Sequence, residues 1–374
     1  MSGLAFVADV HVGNPKQHGG PLACGVNRRG EYILGALQGA VHQANGAGAT
    51  LVVLGDLFDT VRPEAQLIAR VQEIFRTADR TPICLLGNHE MVSSSSGDHS
   101  LAPLGPVATI VEKPTTLHVQ DARGLSKIDL ICIPFQPGPA VEWLPAALTA
   151  GVQGESPKPG SPVSPLKVLA LHLGLQDDTT APFLKGAHDS IHVGALEKLC
   201  VAHGITHVYA GNWHDHRVWT LDKVRMEQVG ALHPTGWNNP GVDYGHVALL
   251  SYRGEDSKVI AGPRFVVVRS PKDLKQLDNG VFFVRSEAPE KFEAEITERL
   301  AALQGMGKVL SWEHDRAADG EETAAARLAL SDARAAAKAG GDALAEYVEA
   351  MPLPQGVERP DVLAKARALL GGAI

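Results

Sequence analysis

Short apolar runs recur through the first 260 residues, and many of them end in a cluster of His, Asp or Asn. The runs are Leu4 to Val7, Leu51 to Leu54, Ile83 to Leu86, Leu130 to Ile133, Val168 to Leu171 and Thr206 to Tyr209. Near-continuous apolar runs of this length are typical of strands that are covered on both faces. Because helical patterns separate several of them, the sequence predicts a layered α/β domain.

Five polar clusters follow these strands in order. They are Asp9-x-His11, Gly55-Asp56-x-x-Asp59, Gly87-Asn88-His89-Glu90, His172, and Gly211-Asn212-Trp213-His214-Asp215-His216. Each cluster alone has an ordinary explanation as a turn or a core histidine. Five in succession at strand ends, where α/β sheets place their ligands, predict one functional site.

The residue types in these clusters indicate divalent metals. Carboxylate, amide and imidazole groups together suit ions such as Mn, Fe or Zn, and two ions about 3.5 to 4 Å apart share a carboxylate. Asp56, central in the order and directly after a strand, is the natural bridge. Asn88 would add a neutral oxygen ligand, which leaves its neighbour His89 free to act as an acid.

The ordered set resembles the calcineurin-like metallophosphoesterase superfamily, whose pattern is D-x-H, GD-x-x-D, GNH-D/E, H and GH-x-H. The matching motifs span residues 9 to 216. The resemblance implies a four-layer α/β/β/α sandwich around two divalent ions, usually Mn²⁺ in the nuclease branch. It also implies hydrolysis of a phosphoester by a hydroxide that bridges the two ions and attacks phosphorus.

The resemblance assigns roles to individual residues. The implied ligands of the first metal are Asp9, His11, Asp56 and His214, and those of the second are Asp56, Asn88, His172 and Asn212. By the same resemblance, His89 protonates the leaving group and Glu90 orients His89. Asp59 is expected to orient a metal-binding histidine.

One motif departs from the family pattern. Where the family has GH-x-H, this chain has Gly211-Asn212-Trp213-His214, so an asparagine replaces a metal-binding histidine. Alternatively the pair slides by two residues, and His214 and His216 supply the ligands. We favour Asn212 with His214 because that choice keeps the register from strand to glycine, and we expect a weaker second metal site.

Three further residues are candidates for substrate binding. Arg28 and Arg29 precede a helix and either contact a substrate phosphate or form a solvated pair in the first turn. His99 either faces the site or belongs to a surface loop.

The segment HDSIHV, residues 188 to 193, predicts a helix start capped by Asp189 or Ser190.

The C-terminal part changes character at about residue 263. Predicted strands at Arg264 to Val268 and Val281 to Val284 precede a helix between Pro289 and Leu303, and Ala-rich helices follow at 321 to 350 and 361 to 370. We expect a metallophosphoesterase domain at 1–262 and a smaller α+β capping domain at 263–374. The Mre11/SbcD-like DNA repair nucleases and their phage relatives have similar sequence features. The similarity covers the segment from residue 264 onward, FQP at 135–137 and VGALHPTGWNNPG at 229–241. That branch implies a homodimer and an SMC-like ATPase partner of the Rad50/SbcC type.

Three functions are compatible with these motifs. A two-metal exo- or endonuclease acting on DNA is the leading hypothesis. The others are a nucleotide, cyclic-nucleotide or protein phosphoesterase, and a non-catalytic assembly subunit with a degenerate metal site. The chain has 34 Lys and Arg against 42 Asp and Glu, a net charge of −8. Because phosphate affinity usually comes from basic side chains, we expect DNA affinity to come from the metals, a local patch or a partner.

Targeting signals and cysteines indicate the compartment. No apolar stretch is long enough to span a membrane, and the first residues show no signal peptide. The four cysteines are widely spaced and at least two lie in apolar runs, which favours reduced, buried thiols. We therefore expect a cytoplasmic protein without a membrane association.

Overall fold

A computed structural model describes residues 3–91, 98–120, 127–152, 166–180, 188–236, 244–251, 254–260, 262–314 and 360. The predicted Ala-rich helices at 321–350 and 361–370 lie outside these residues. In chain order the strands and helices are β1 (Gly3–Val7), β2 (Leu22–Ala23), β3 (Val26–Asn27), α1 (Arg28–Ala47), β4 (Ala49–Val53), α2 (Ala65–Arg76), β5 (Ile83–Leu85), β6 (Thr109–Val111), β7 (Thr115–Gln120), β8 (Lys127–Ile133), α3 (Ala140–Val152), β9 (Leu166–His172), β10 (Gly174–Gln176), β11 (Ser190–His192), α4 (Val193–His203), β12 (His207–Gly211), β13 (Arg217–Thr220), β14 (Arg225–Gln228), β15 (His246–Ser251), β16 (Gly254–Val259), β17 (Arg264–Val268), β18 (Phe282–Ser286), α5 (Glu290–Gly305) and β19 (Val309–His314).

Two six-stranded sheets form the body of the larger unit. The first has the order β16-β15-β1-β4-β5-β6, and the second has the order β13-β14-β12-β9-β8-β7. The central strands of each sheet run parallel, with antiparallel strands at one edge of the first sheet and at both edges of the second. The six predicted strands are β1, β4, β5, β8, β9 and β12, all of them central, so the runs of apolar residues marked the buried part of each sheet.

Alternation of side chains along each strand divides the core into layers. In β1, Leu4 and Phe6 point into a core shared by both sheets, whereas Ala5 and Val7 pack in a core with helices α1 and α2. Helices α3 and α4 cover the outer face of the second sheet in the same way. Phe6 stacks on Tyr209 across the sheet interface, with ring centroids 3.9 Å apart. The predicted four-layer α/β/β/α sandwich is thus confirmed.

The chain forms two compact units, residues 1–177 with 189–265, and residues 178–188 with 266–374. In the smaller unit, β17, β18 and β19 form a sheet, and α5 packs its buried Ile296, Leu300 and Leu303 into a core with strand residues. The predicted strand at Arg264 to Val268 matches β17, and the predicted helix matches α5. This unit is therefore an α+β fold.

Among the described residues, the longest helices are too short or too polar to cross a bilayer.

Candidate metal centre

The five polar clusters meet at the carboxyl ends of the parallel strands of both sheets. In the first sheet, clusters follow β1, β4 and β5, and in the second sheet they follow β9 and β12. The two sheets pack face to face, so their strand ends bring all five clusters together. Three overlapping groups could hold a metal ion: Asp9, His11 and His214; His11, Asp56 and His89; Asp9, Asp56 and His172. Within each group the ligand atoms lie within 4.8 Å of one another.

Asp56 lies between two sets of side chains. Its Oδ1 is 3.5 Å from Nε2 of His172, and its Oδ2 is 3.8 Å from Nε2 of His11. Asn88 joins the His172 side, with its Oδ1 2.9 Å from His172 Nε2. One oxygen of the carboxylate therefore faces each of the two predicted metal positions, as a bridging ligand requires.

The histidine tautomers test whether these residues fit metal ions. Nδ1 of His172 lies 2.7 Å from the carbonyl oxygen of Leu54, so this nitrogen carries a hydrogen and donates it. When His172 is neutral, its Nε2 then presents a lone pair to two oxygens, those of Asn88 and Asp56. Three acceptors that face one another are stabilised by a cation between them.

The first metal position also has two histidines whose Nδ1 atoms face other side chains. His214 turns Nδ1 toward Thr235 Oγ1 at 3.1 Å, and His11 turns Nδ1 toward Asp59 Oδ1 at 3.5 Å. Their Nε2 atoms lie 3.2 Å apart. Two nitrogens at about 2.1 Å from one ion, at about 100° to each other, are separated by about 3.2 Å. The donor sets at both positions thus fit divalent metals.

Electrostatics favour added positive charge at the centre. Burial raises the pKa of Asp9 to about 6, with a further rise from Asp56 that His172 opposes. Burial also lowers the pKa of His11, but Asp59, Asp56 and Asp9 outweigh it and raise that pKa to about 9. Burial and the charge of His11 lower the pKa of His214 to about 3. Buried carboxylates need a neutralising partner, and in these residues only protons on histidines supply it.

Strained backbone marks four of the predicted ligands. The non-glycine residues with positive φ include Asp9 at 49°, His11 at 47°, Asp56 at 51° and Asn212 at 83°. This left-handed conformation costs roughly 1–2 kcal/mol per residue and persists where surrounding contacts enforce it. The contacts here are hydrogen bonds between strand ends: the N–H of His11 donates to the Asp56 carbonyl at 2.9 Å, and the N–H of Asn212 donates to both Asp9 oxygens.

Two glycines allow the strand ends to approach closely. Gly55 has a φ of +98°, and a side chain there would collide with the His172 ring. A side chain at Gly87 would collide with Asp56. The glycines of the GD and GN motifs therefore make room for ligands that come from other strands.

The contacts of Glu90 differ from the predicted ones. The sequence predicted that it orients His89, but its fully buried carboxylate accepts the backbone N–H groups of Asp56, Phe58 and Gly87 at 3.0, 2.9 and 2.7 Å. Burial, reinforced by Asp56, raises its pKa to about 7. The reason for the difference is that Glu90 points back under the loop that carries Asp56, so it shapes that loop.

We expect Glu90→Ala to lower the free energy of unfolding of the metal-free chain by about 3 kcal/mol, because it leaves three buried N–H groups without an acceptor. Urea denaturation in EDTA, followed by circular dichroism, measures this loss. Glu73, whose side chain is 68% exposed on α2, provides the matched control. Glu73→Ala should change stability by about 0.5 kcal/mol or less. Equal losses in the two variants would contradict this role for Glu90.

His89 is oriented by the backbone of Asp59. Its Nδ1 donates to the Asp59 carbonyl oxygen at 2.9 Å, and its Nε2 lies 3.9 Å from Asp56 Oδ2. The side chain is 38% exposed and lies beside the metal positions. Asp59 thus contacts two histidines: its carboxylate lies beside His11, which holds the pKa of Asp59 below its usual range, and its carbonyl accepts from His89.

The two alternatives for the last motif differ in whether Asn212 or His216 accompanies His214. His214 belongs to a potential metal group, whereas His216 turns away. Nε2 of His216 lies 3.1 Å from Glu227, and its ring stacks on His246 with centroids 3.7 Å apart. The alternative pair of His214 with His216 is therefore wrong.

Three other expectations require correction. Arg29 is not part of a solvated pair: it is 4% exposed and donates to the carbonyls of Gln17, Pro234 and Thr235. His99 is buried beside Glu112 at 3.3 Å and lies outside the potential metal groups of the described residues. Helix α4 is capped by His192, not by Asp189 or Ser190. Arg28 is exposed, and its contact with substrate stays a prediction.

Sequence reasoning missed the loop that supports His214. Thr235 contacts Nδ1 of His214, and the carbonyl of Thr235 accepts from Arg29 at 2.7 Å. In the same loop His233 lies 2.8 Å from the carbonyl of Val10, between two predicted ligands. The only signal in the sequence was the HPT segment within 229–241, and its contacts reach residues that are more than 200 positions away.

No protein-family model matches the chain, and no curated protein matches it. Several solved structures are similar. TT1561 of Thermus thermophilus is 12% identical with a TM-score of 0.43, over 69% of this chain and 98% of that chain. Purple acid phosphatase PPD1 from yellow lupin (Lupinus luteus) is 12% identical with a TM-score of 0.43, over 69% of this chain and 51% of that one.

A third similar structure is a putative 5'-nucleotidase from Staphylococcus aureus in complex with alpha-ketoglutarate. It is 11% identical with a TM-score of 0.41, over 69% of this chain and 53% of that one. The chain thus spans about half the length of the phosphatase and the nucleotidase. At this level of similarity no activity transfers to the present chain, and its function depends on the chemistry of its own site.

Proposed function

We propose that this protein is a phosphoesterase that uses two divalent metal ions, most favourably Mn²⁺, and that it hydrolyses phosphodiester bonds of DNA. The observation that carries the proposal is the Asp56 carboxylate, which presents one oxygen to His172 and the other to His11. When bound, two ions at these positions would supply an activated nucleophile and stabilise the charge that develops on the phosphoryl oxygens.

The other roles, which are metal binding, proton donation and the positioning of ligands, would belong to side chains of this protein. Asp9, His11 and His214 would hold the first ion, and Asn88 and His172 would hold the second, with Asp56 shared. His89 would give a proton from Nε2 to the leaving oxygen, since its Nδ1 is engaged with the Asp59 carbonyl. Asp59 and Thr235 keep the metal-facing nitrogens of His11 and His214 in position.

The choice of DNA rests on the motif resemblance together with the separate C-terminal unit. The net charge of −8 argues that DNA affinity comes from the metals, a local patch or a partner. We extend the proposal to the partners that the same resemblance implies, a second copy of the chain and an SMC-like ATPase, in a cytoplasmic setting. Sedimentation of the purified chain tests the first of these: a dimer is expected.

A substrate panel tests the activity. With Mn²⁺, we expect hydrolysis of linear single- or double-stranded DNA and of bis(p-nitrophenyl) phosphate, and complete loss of both reactions in EDTA. Rapid hydrolysis of nucleotides or phosphomonoesters with no cleavage of DNA would overturn the DNA assignment and favour the small-substrate alternative. Absence of bound metal in elemental analysis after Mn²⁺ loading would favour a non-catalytic subunit.

A further inference from the structure

The amide of Asn212 has a fixed orientation. Its Nδ2 lies 3.1 Å from the carbonyl oxygen of Asp189 and 3.1 Å from Oδ2 of the same residue. Both of these atoms accept hydrogen bonds and neither donates, so the NH₂ end of the amide must face Asp189. The amide oxygen of Asn212 therefore points away from Asp189.

Backbone contacts hold Asn212 and Asp189 beside the metal ligands. The N–H of Asn212 donates to both carboxylate oxygens of Asp9 at 3.1 and 3.0 Å. The carbonyl of Asp189 accepts the N–H of Gly174 at 2.9 Å, two residues beyond His172. The side chain of Asp189 is not used by the neighbouring helix, which His192 caps. Asp189 is thus attached to the strand end that carries His172.

We propose that Asp189 is a positioning residue that turns the amide oxygen of Asn212 toward the second metal position, and that this makes the second position selective for Mn²⁺ or Mg²⁺ over Zn²⁺. The inference rests on the proposed two-metal function. With Asn212, the second position has oxygens from Asp56, Asn88 and Asn212 and one nitrogen, from His172. The first position has two carboxylates, Asp9 and Asp56, and two imidazoles, His11 and His214.

Ligand chemistry gives the direction of the selectivity. Carboxylate and carbonyl oxygens suit Mg²⁺ and Mn²⁺, whereas imidazole suits Zn²⁺ and other later ions. A histidine at 212 would make the two positions alike, with two nitrogens each. The replacement of that histidine by an asparagine whose nitrogen is held by Asp189 therefore separates the two positions by ligand type.

Titration of the chelator-stripped full chain with Mn²⁺, measured by calorimetry, tests the positioning role. Wild type is expected to bind two ions. Asp189→Ala removes the Oδ2 acceptor and keeps the backbone carbonyl, so it should weaken the second ion by about tenfold, the lower end of the usual loss for a group that orients a ligand, with the first ion unchanged. Asp189→Asn keeps an oxygen acceptor for Asn212 and should retain affinity within about threefold. Asp215→Ala removes an exposed carboxylate three residues after Asn212 and is the matched control for the lost charge.

Cobalt absorption and a ligand swap test the selectivity. Asn212→His should raise Zn²⁺ affinity at the second position and change the d–d spectrum of the Co²⁺-loaded chain, which reports the ligands directly. Equal affinity of wild type and Asp189→Ala for the second ion, or an unchanged spectrum in Asn212→His, would overturn the inference. Wild type that binds fewer than two ions would instead overturn the proposed two-metal function, so the two failures are distinguishable.

Discussion

Asp56→Asn is expected to reduce phosphoesterase turnover by about a thousandfold or more. The ions would contribute several kcal/mol of charge stabilisation in the transition state, and each 1.4 kcal/mol that is lost lowers the rate about tenfold. The neutral amide offers one oxygen for a metal, so it cannot bridge two positions. Asp56 is 2% exposed, and its charge raises the pKa values of Asp9 and Glu90. Removal of that charge relieves this repulsion and also removes its attraction to His11 and His172, so we expect the stability of the metal-free fold to change little.

Metal stoichiometry and turnover on the best substrate of the panel measure the effect. Asp56→Asn should bind no more than one ion tightly and melt, without metal, close to the wild-type temperature. Asp79, an exposed aspartate after α2, is the matched control, and Asp79→Asn should keep turnover within about twofold. Two tightly bound ions in Asp56→Asn together with more than a tenth of wild-type turnover would contradict the bridging role.

His89→Gln is expected to lower kcat on DNA by about a hundredfold to ten-thousandfold while both ions stay bound, because the variant cannot protonate the leaving oxygen. A p-nitrophenolate leaving group needs little protonation, so the same variant should lose about tenfold or less on bis(p-nitrophenyl) phosphate. A comparison of the two leaving groups therefore distinguishes a role of His89 as a general acid from a role as a metal ligand. This matters because His89 also belongs to one of the potential metal groups, with His11 and Asp56.

Calorimetry with Mn²⁺ and rates on both substrates carry out this comparison. The control is His118→Gln, since His118 is a 44% exposed histidine paired with Asp129 on β8. It should leave both rates within about twofold. Loss of an ion, or an equal loss of rate on the two substrates, would show that His89 acts as a ligand or a structural residue and not as the acid.

Local chemistry explains why much of the fold was predictable. Strands buried on both faces must be apolar at successive positions, and this marked the central strands β1, β4, β5, β8, β9 and β12. The edge strands and the interior strands β14 and β15 were not predicted. Among the edge strands, β13 is largely exposed and β16 is mostly polar, so neither has a continuous apolar run. An edge strand carries a weaker pattern, and its pairing depends on neighbours that are distant in the chain.

The inventory of the site was also predictable, but its internal geometry was not. Asp9, His11, Asp56, Asn88, His172 and His214 all leave the carboxyl ends of predicted strands, and the structure places them together. Their directions depend on left-handed backbone at Asp9, His11, Asp56 and Asn212, a conformation that is uncommon for non-glycine residues even though Asp, Asn and His adopt it more often than other types. Spacing along the chain contains no information about that conformation.

What the sequence by itself determined is which residues stand at the ends of the buried strands, since apolar patterning and the order of motifs are local properties. Tertiary structure alone decided that His214 and not His216 faces His11, and that Glu90 lies under the Asp56 loop instead of beside His89. It also turned Arg29 inward and paired Asn212 with Asp189. The physical reason is that each of these choices is made by contacts between segments that are distant in the chain, which form only in the folded structure.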